Sequence, residues 1–372
     1  MSMMRDNVKV PILSFFTGGG FLDLGFEEAG FDVVWTNEFD PDIADMYEHG
    51  QTALRWRKDS EAPVARISSR KSITKLEPAE VLAQAFRGKS PKIFGVIGGP
   101  PCPDFSVGGK NRGHEGDRGK LSQSYIEMIC GLKPSFFLME NVPGLVRTTK
   151  HRAFLSKLRE KLSEHGYVTD LKILNALEYG TPQDRERIFL VGLSKQLHHS
   201  LFKSKVLPVS DGWFPYPAPS HPNAKSLPWP GVSKFGAHPQ RPREISEELC
   251  VYKLLTSSPP PSELPNGTEG FVAYSDKFQI VDEGDDSRKS FKRLHRYRYS
   301  PTACYGNNEV HLHPWEPRRL TVRETLRIQT IPDEYILPSG KSLSIKFKMI
   351  GNGVPRKLAA AMAGSIVKLF QK

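Results

Sequence analysis

The chain has 372 residues, with 38% apolar and 25% charged side chains, a composition that supports a sizeable buried core and excludes global disorder. Its length favours two domains, and we expect a cytoplasmic protein, because no apolar run approaches the roughly 20 residues of a membrane span and residues 1–9 hold no apolar leader. The formal net charge of +11 favours a polyanionic partner, with nucleic acid ahead of a membrane surface.

The first half of the chain alternates short apolar runs with amphipathic segments. The apolar runs predict strands at 10–16, 31–35, 92–97 and 135–139, and the segments between them predict helices at 21–29, 40–49 and 122–132. Strands of continuous apolar residues separated by helices are typical of a parallel sheet that is covered on both faces. The sequence therefore predicts an α/β fold with a doubly wound, mostly parallel sheet.

Regular patterning stops after the first half of the chain. Prolines recur every few residues in 207–242, and the stretch 288–298 holds six lysines and arginines interleaved with aromatic side chains. This stretch is either a solvated charged loop or a surface that contacts nucleic acid. Helical patterns return at 320–329 and 356–370.

These changes of pattern divide the chain into three parts. We predict a catalytic and cofactor-binding domain at 1–195 and a smaller, irregular domain at 196–300. The chain then returns to the first domain at 301–372.

The first predicted strand ends in a turn of three glycines, Gly18 to Gly20. A glycine turn between a strand and a helix lets the backbone approach a ligand and directs helix N–H groups towards it. The dinucleotide fingerprint does not fit, because its third glycine would fall at Asp23. Glu38 ends the second strand, where an acidic side chain accepts hydrogen bonds from ribose hydroxyls. The pattern indicates either a site for an adenosine-bearing ligand or a glycine-rich turn beside a solvated glutamate.

Cys102 follows the third predicted strand, at the edge where ligands bind in open α/β sheets. Prolines on both sides fix the backbone around it, and the loop 107–120 that follows is rich in glycine and basic residues, as in a mobile lid. The four cysteines are scattered and form no disulfide or metal-binding pattern, so we expect reduced thiols and no metal. A lone cysteine is commonly a packing residue, but this setting predicts a nucleophile whose thiolate is favoured by nearby positive charge.

Two further groups of polar residues belong to predicted strands. Glu140 comes directly after an apolar run, and the partial desolvation expected there would raise its pKa and make it an acid. Gln183, Arg185 and Arg187 alternate along a segment that we predict to be a strand, so their side chains would share one face. They would then either point together into a site or face solvent from an edge strand.

Taken together, seven motifs closely resemble those of the DNA (cytosine-5)-methyltransferase family, over nearly the whole chain. They are the cofactor turn at 15–20, the ribose-binding Asn37-Glu38, the nucleophile motif Pro101-Cys102, the acid motif at 140–142, the arginine motif at 183–187, and the motifs at 319–329 and 351–354. Any one motif is weakly specific, whereas all seven in this order and spacing are highly specific. Three positions depart from the family pattern: Pro103 replaces a usual glutamine, Gly95 a frequent aspartate, and Ser72 the aspartate that normally contacts the adenine amino group.

The resemblance implies S-adenosyl-L-methionine as the cofactor and double-stranded DNA as the partner. It implies that Cys102, Glu140, Arg185 and Arg187 are catalytic. The residues implied to bind the cofactor are Phe16, Thr17, Gly18, Gly20, Phe21, Leu22, Glu38, Phe39, Pro100, Asn352 and Val354. Those implied to contact DNA are Ser106, Lys110, Arg112, Gln183, Arg293 and Arg296.

The implied reaction begins on a cytosine that is rotated out of the duplex. The Cys102 thiolate would add to C6, Glu140 would neutralise charge at N3, Arg187 would hold O2, and Arg185 would position a phosphate or the lid. The ring would then take a methyl group at C5, and the interval 196–300 would read the DNA sequence. A restriction endonuclease acting on the same site is an implied partner, with the enzyme acting as a monomer on DNA.

Two alternatives stay open at the level of the sequence. One is a methyltransferase of the same fold that acts on transfer RNA, and the other is a catalytically silent DNA-binding relative. A comparison of duplex DNA with RNA as methyl acceptors distinguishes a DNA methyltransferase from the first alternative. A single activity assay distinguishes an active enzyme from the second. A nicotinamide-dependent oxidoreductase is disfavoured by Asp23 in the fingerprint.

Overall fold

The computed structural model describes residues 9–371, apart from 102–116, 204–206, 209, 289, 303–304 and 306–308. Cys102, Ser106, Lys110 and Arg112 therefore lie outside the described residues. Within the described part of the chain, no helix combines the length and the apolar character that a membrane crossing requires.

Six strands form one sheet in the part of the chain that the structure describes. They are β1 (Pro11–Phe15), β2 (Asp32–Asn37), β3 (Gly95–Gly98), β4 (Phe136–Asn141), β5 (Tyr167–Asn175) and β6 (Glu186–Ser194). Their spatial order is β2-β1-β3-β4-β6-β5. The first four of these are mutually parallel, and β6 runs antiparallel to both of its neighbours. The predicted α/β fold with a mostly parallel sheet is confirmed.

The described residues form α-helices, and some of these cover the two faces of the sheet. In chain order they are α1 (Phe21–Glu28), α2 (Pro41–Lys58), α3 (Pro78–Phe86), α4 (Asp117–Leu132), α5 (Gly144–Arg147), α6 (Thr149–Glu164), α7 (Lys195–Phe202), α8 (Val251–Thr256), α9 (Lys277–Ile280), α10 (Val322–Ile328), α11 (Leu343–Asn352) and α12 (Arg356–Phe370). Side-chain caps fix where some of them begin. The Asp40 carboxylate accepts hydrogen bonds from two backbone N–H groups of α2, and Thr321 forms a capping box with Glu324 at the start of α10.

Strand β4 shows how the two faces of the sheet are buried. All six of its residues are buried, and the period of a strand sends Phe136 and Leu138 to one face and Phe137 and Met139 to the other. The first pair belongs to an apolar cluster with α1 and α12, and the second pair to a cluster with α4 and α6. Burial on both faces explains why the central strands are continuous apolar runs.

The interval 196–300 consists mainly of turns and short helices, including α8 and α9. Its apolar residues Val251, Leu255 and Leu294 share one buried cluster with residues of α10 and α11. The irregular interval is therefore packed against the last third of the chain. Its separation as a domain at residues 196–300 stays a prediction.

The segment 183–187 differs from the predicted strand. Strand β6 begins at Glu186, so the expected alternation of Gln183, Arg185 and Arg187 on one strand face is wrong. Before β6 starts, the segment pairs with the end of β5 through a side chain: Asn175 Oδ1 accepts a hydrogen bond from Arg185 N (3.1 Å), and Ala176 N donates to Arg185 O (2.9 Å). Gln183 instead forms an isolated β-bridge with Ser300, which lies far from it in the sequence.

Candidate active site

The sheet topology brings the motif residues to one edge. Strands β1 to β4 end at this edge, and β6 begins there because it runs antiparallel to β4. The strand order therefore places side by side Glu38 after β2, the glycine turn after β1, Pro101 after β3, Glu140 in β4 and Arg187 in β6. In open α/β sheets, ligands bind at the edge where the strands end and the connections reverse direction.

A cavity of about 830 Å³ opens along this edge, within the size range of small-molecule sites. Ten of the eleven residues expected to bind the cofactor line it, namely Phe16, Thr17, Gly18, Phe21, Leu22, Glu38, Phe39, Pro100, Asn352 and Val354. Gly20 does not: a Cβ at this position would come within 2.6 Å of the Tyr47 ring and 2.8 Å of the Gln51 amide. Glu140 and Arg187 line the same cavity.

The glycine turn is fixed by its own backbone and by β2. Gly18 and Gly20 have positive φ values of 58° and 72°, which glycine adopts without strain, and Phe16 before them has a φ of 51°. Thr17 N donates to Asn37 O (3.0 Å), and Gly20 N donates to Thr17 O (2.8 Å). These bonds hold the start of α1 in a constant position relative to the end of β2.

The Glu38 carboxylate joins the glycine turn to the start of α2. Its Oε2 accepts a hydrogen bond from Gly18 N (2.9 Å), and its Oε1 accepts one from Asp40 N (2.9 Å). Burial raises the pKa of Glu38, while the backbone N–H groups of Asp40 and Gly18 lower it. A carboxylate has about four acceptor sites, so Glu38 can still accept hydrogen bonds from a diol in the cavity.

The cavity wall beside Glu38 combines apolar groups and hydroxyl groups. The Phe39 ring is 67% exposed, and Ile73 is buried; both line the cavity. The hydroxyl groups of Ser72 and Thr74 lie 2.9 Å apart and line it as well. This wall suits a flat heterocycle with a polar edge.

Glu140 and Arg187 form an ion pair in the cavity wall. Arg187 Nε lies 2.7 Å from Glu140 Oε1, and the two side chains are about one-tenth exposed. Burial raises the pKa of Glu140, while the guanidinium groups of Arg187 and Arg185 lower it. Its other oxygen, Oε2, lies over Gly99, where a Cβ would come within 2.8 Å of it. The pair offers a carboxyl group that can hold a proton, next to a guanidinium donor and shielded from most water.

Arg185 has a different position from the one expected. It is fully buried, and its Nη2 donates to the carbonyl oxygens of Gly351 (2.6 Å) and Gly353 (2.9 Å). This turn at the end of α11 lines the cavity through Asn352 and Val354. The expectation that Arg185 positions a phosphate or the lid does not fit this geometry, because the buried guanidinium is directed to the backbone that supports the cavity wall.

Three residues expected to contact DNA are buried. Arg293 is 1% exposed, and its guanidinium donates to four backbone carbonyl oxygens. Arg296 Nη2 lies 2.8 Å from a carboxylate oxygen of the fully buried Glu283, and Gln183 has no exposed surface. As the structure places them, Arg293 and Arg296 do not contact DNA, because interior acceptors occupy both guanidinium groups. Gln183 is not available to DNA either, because its amide is enclosed, without a hydrogen-bond partner among the described residues.

Ser14 and Asp23 also line the cavity, and the sequence motifs assign neither of them to a site. Asp23 is 1% exposed and accepts a hydrogen bond from Ser14 Oγ (2.7 Å). The available signal was an acidic residue at a glycine position of the dinucleotide fingerprint. Lys348 and Met349 of α11 line the same cavity.

Known proteins are similar to this chain in sequence or in fold. The profile of the family described as C-5 cytosine-specific DNA methylase matches residues 10–368. The chain is 44% identical to the Type II methyltransferase M.NmeDI of Neisseria meningitidis serogroup C, over 98% of this chain and 84% of that protein. It is 32% identical to the Type II methyltransferase M.FnuDI of Fusobacterium nucleatum, over 96% and 94% of the two chains. The solved structure of the Entamoeba histolytica methyltransferase EhMeth has a TM-score of 0.60 at 12% identity and covers 98% of both chains.

Proposed function

The chain belongs to the C-5 cytosine-specific DNA methylase family, and from this premise we propose how its residues transfer a methyl group to C5 of a cytosine in duplex DNA. The observation that carries the proposal is the Glu140–Arg187 pair, 2.7 Å apart, in the wall of the cavity that the glycine turn also lines. One part of the cavity can therefore protonate and hold a pyrimidine while another part holds an adenosine.

Cys102 carries out the first step. In the sequence it follows Pro101, which is exposed and lies shortly after β3. C5 of cytosine is a weak nucleophile. The Cys102 thiolate therefore adds to C6, and electron density moves into the ring. Glu140 gives a proton to N3, and Arg187 donates a hydrogen bond to O2. Once C5 has been methylated, it loses its proton to solvent and the C6–sulfur bond breaks to release the thiolate. N3 then returns its proton to Glu140, and the aromatic ring is restored.

The family implies S-adenosylmethionine as the methyl source, which supplies an electrophilic methyl group on sulfur when bound. Glu38 would accept hydrogen bonds from the ribose hydroxyls, Phe39 and Ile73 would contact the faces of the adenine, and the Ser72 hydroxyl would meet its edge. The residues fit such a ligand, because the wall supplies a fixed carboxylate, an exposed aromatic ring and a buried polar atom, Asp23 Oδ2, that has no hydrogen-bond partner among the described residues.

The target base must leave the duplex, since C6 is inaccessible in a stacked cytosine. Extrusion costs roughly a few kcal/mol, which phosphate contacts can offset without reading sequence. Ser106, Lys110 and Arg112 of the segment after Cys102 are the proposed contacts, and the interval 196–300 is the proposed reader of the sequence. Net positive charge favours this encounter.

The relatives M.NmeDI and M.FnuDI carry the name of Type II methyltransferases. The same role is proposed here: methylation protects a DNA site from a restriction endonuclease of the same specificity. The enzyme would act on DNA as a monomer, since one cavity and one irregular interval supply both the chemistry and the reading.

The test uses purified protein with tritiated S-adenosylmethionine and equal amounts of duplex DNA or transfer RNA. Label is expected in duplex DNA alone, as 5-methylcytosine, and bisulfite sequencing of DNA from an expressing host should show one protected sequence. Label confined to RNA, or methylation at another position of the cytosine ring, would contradict the proposal.

A further inference from the structure

The side chain of Asp23 is a buried carboxyl group in the cavity wall. Its Oδ1 accepts a hydrogen bond from Ser14 Oγ (2.7 Å), whereas Oδ2 has no hydrogen-bond partner among the described residues. The side chain is 1% exposed, and it borders the cavity together with Ser14 and Thr17. A buried acceptor without a partner is costly unless something outside the protein satisfies it.

Among the described residues, no cation interacts with Asp23, although Lys348 lines the same cavity. The ionisable groups that interact with it are Glu27 on its own helix, Tyr47 on α2 and Tyr335 after α10, and none of them carries positive charge. Burial raises the pKa of Asp23 to about 7, and the Ser14 hydroxyl only partly opposes this effect. Glu140, by contrast, has Arg187 beside it. Asp23 and Glu140 are therefore suited to different tasks.

Position along the sheet edge separates the two tasks as well. The glycine turn follows β1, with Glu38 of the β2 connection on one side and Pro101 of the β3 connection on the other. Asp23 lies in the first turn of α1, directly after the glycine turn. A ligand whose ribose lies at Glu38 and whose methyl group reaches Glu140 must pass this turn.

We infer that Asp23 binds the α-ammonium group of the cofactor's methionine end, directly or through one water molecule. The inference rests on the proposed use of S-adenosylmethionine. The ligand ammonium supplies a cation that no described side chain supplies to Asp23, and a charge-assisted hydrogen bond in a buried site is among the stronger contacts a side chain can make. Asp23 is then a cofactor-binding residue that distinguishes the complete amino-acid end from fragments without an amine.

The first test needs only the unmodified protein and three ligands, measured by calorimetry. They are S-adenosylhomocysteine, its deaminated analogue, which keeps the carboxylate, and its decarboxylated analogue, which keeps the ammonium. Removing the amine should weaken binding by about 10- to 100-fold, and the decarboxylated analogue should bind more tightly than the deaminated one. Equal affinities of the deaminated and complete ligands would overturn the inference while leaving the cofactor assignment intact. Failure of all three to bind would overturn both.

Asp23→Asn tests the residue itself, since the amide keeps the acceptor for Ser14 and removes the charge. The variant should lose the preference for ammonium-bearing ligands, with at least a tenfold drop in the ratio of affinities, while its affinity for the deaminated analogue stays within about threefold. Retained binding of that analogue also shows that the cavity is folded. Glu27→Gln is the matched control, because this carboxylate lies on the same helix outside the cavity wall; it should keep the preference. An unchanged preference in Asp23→Asn would make Asp23 a packing residue of α1.

Discussion

Two carboxyl groups in one cavity wall, those of Glu140 and Asp23, are placed in opposite electrostatic settings. Glu140 has the Arg187 guanidinium at 2.7 Å, whereas Asp23 has only acidic and phenolic neighbours among its ionisable contacts. Burial raises the pKa of both. The paired group can exchange a proton with a substrate, and the unpaired group can accept a cation from a ligand.

Glu140→Gln should abolish most of the methyl transfer. The amide can still accept a hydrogen bond from Arg187, but it cannot give a proton to N3, so kcat should fall by about 100-fold or more, with affinities for DNA and cofactor within about threefold. Glu186→Gln is a suitable control, because this neighbouring carboxylate is 42% exposed and lies 3.6 Å from Arg147. Turnover of Glu140→Gln within tenfold of the parent enzyme would remove Glu140 from the proposed proton step.

Asp23 should make the stability of the ligand-free protein depend on pH. Its pKa is raised to about 7 from 3.8, so the folded state holds a proton that the unfolded state has released. Its stabilising effect is complete below about pH 4 and is lost as the pH rises towards 7. Relative to Asp23→Asn, the parent should lose up to about 4 kcal/mol of unfolding free energy over this range, as urea titrations at each pH would measure. A pH-independent difference would contradict the burial argument.

The positions of site residues could be predicted from the sequence where they depend on strand ends. Glu140 and Arg187 follow or begin apolar runs, and the topology of a mostly parallel sheet brings such positions together. The partner of Arg185 could not be predicted, because its acceptors are the backbone carbonyls of Gly351 and Gly353, which no side-chain pattern marks. The burial of Arg293 could not be predicted either, because a run of charged residues has the same sequence pattern whether its side chains are solvated or buried.

At the level of elements, the central strands could be predicted and the edge strand β5 could not. Strand β4 is buried on both faces and therefore forms an unbroken apolar run. Strand β5 is an edge strand, and it carries the buried Asp170 and the exposed Lys172, which break both the apolar run and the alternation. Asp170 is tolerated there because its carboxylate accepts hydrogen bonds from Gly212 N and Phe214 N, 2.8 Å each.

The contact between α1 and α12 should depend on one glycine. A Cβ at Gly25 would come within 2.4 Å of Ala359 Cβ and 2.5 Å of Ala360 N, and such overpacking costs about 1–3 kcal/mol. The higher helix propensity of alanine returns only about 1 kcal/mol, so Gly25→Ala should lower the free energy of unfolding. It should also weaken cofactor binding, because α1 begins at the glycine turn.

Gly364 in α12 provides the control for this prediction. Nothing lies within 4 Å of a Cβ built there, so Gly364→Ala should stabilise the protein by up to about 1 kcal/mol. Urea unfolding of the two variants measures both effects. If Gly25→Ala were as stable as Gly364→Ala, the close approach of α1 and α12 would not limit this position.

Over the whole molecule, buried arginines hold the irregular interval in place. Arg293 ties together backbone segments through carbonyl contacts, and Arg296 neutralises Glu283, which has no exposed surface. These contacts replace the regular hydrogen bonding that the interval lacks. An irregular segment fixed in this way can present a constant surface to DNA.

Arg296→Ala should therefore destabilise the protein without changing its electrostatic contact with DNA. Loss of the pair leaves a buried charge on Glu283 and costs about 3–5 kcal/mol. The slope of log affinity against log salt should stay the same, whereas losing a phosphate contact would reduce it by about 1. Arg288→Ala, at a 51% exposed position of the same basic stretch, should leave the free energy of unfolding within about 0.5 kcal/mol. A reduced slope with unchanged stability in Arg296→Ala would make Arg296 a phosphate contact.

Trapping the enzyme on a fluorinated target tests most directly whether catalysis passes through a bond between Cys102 and cytosine. A duplex with 5-fluorocytosine at the methylation site carries fluorine where the leaving proton would be, so the thiolate cannot be expelled after methyl transfer. In the presence of S-adenosylmethionine, mass spectrometry should find the oligonucleotide attached to Cys102, and Cys102→Ser should bind the duplex without forming the adduct. An active preparation that forms no adduct, or attaches the DNA through another residue, would contradict the mechanism.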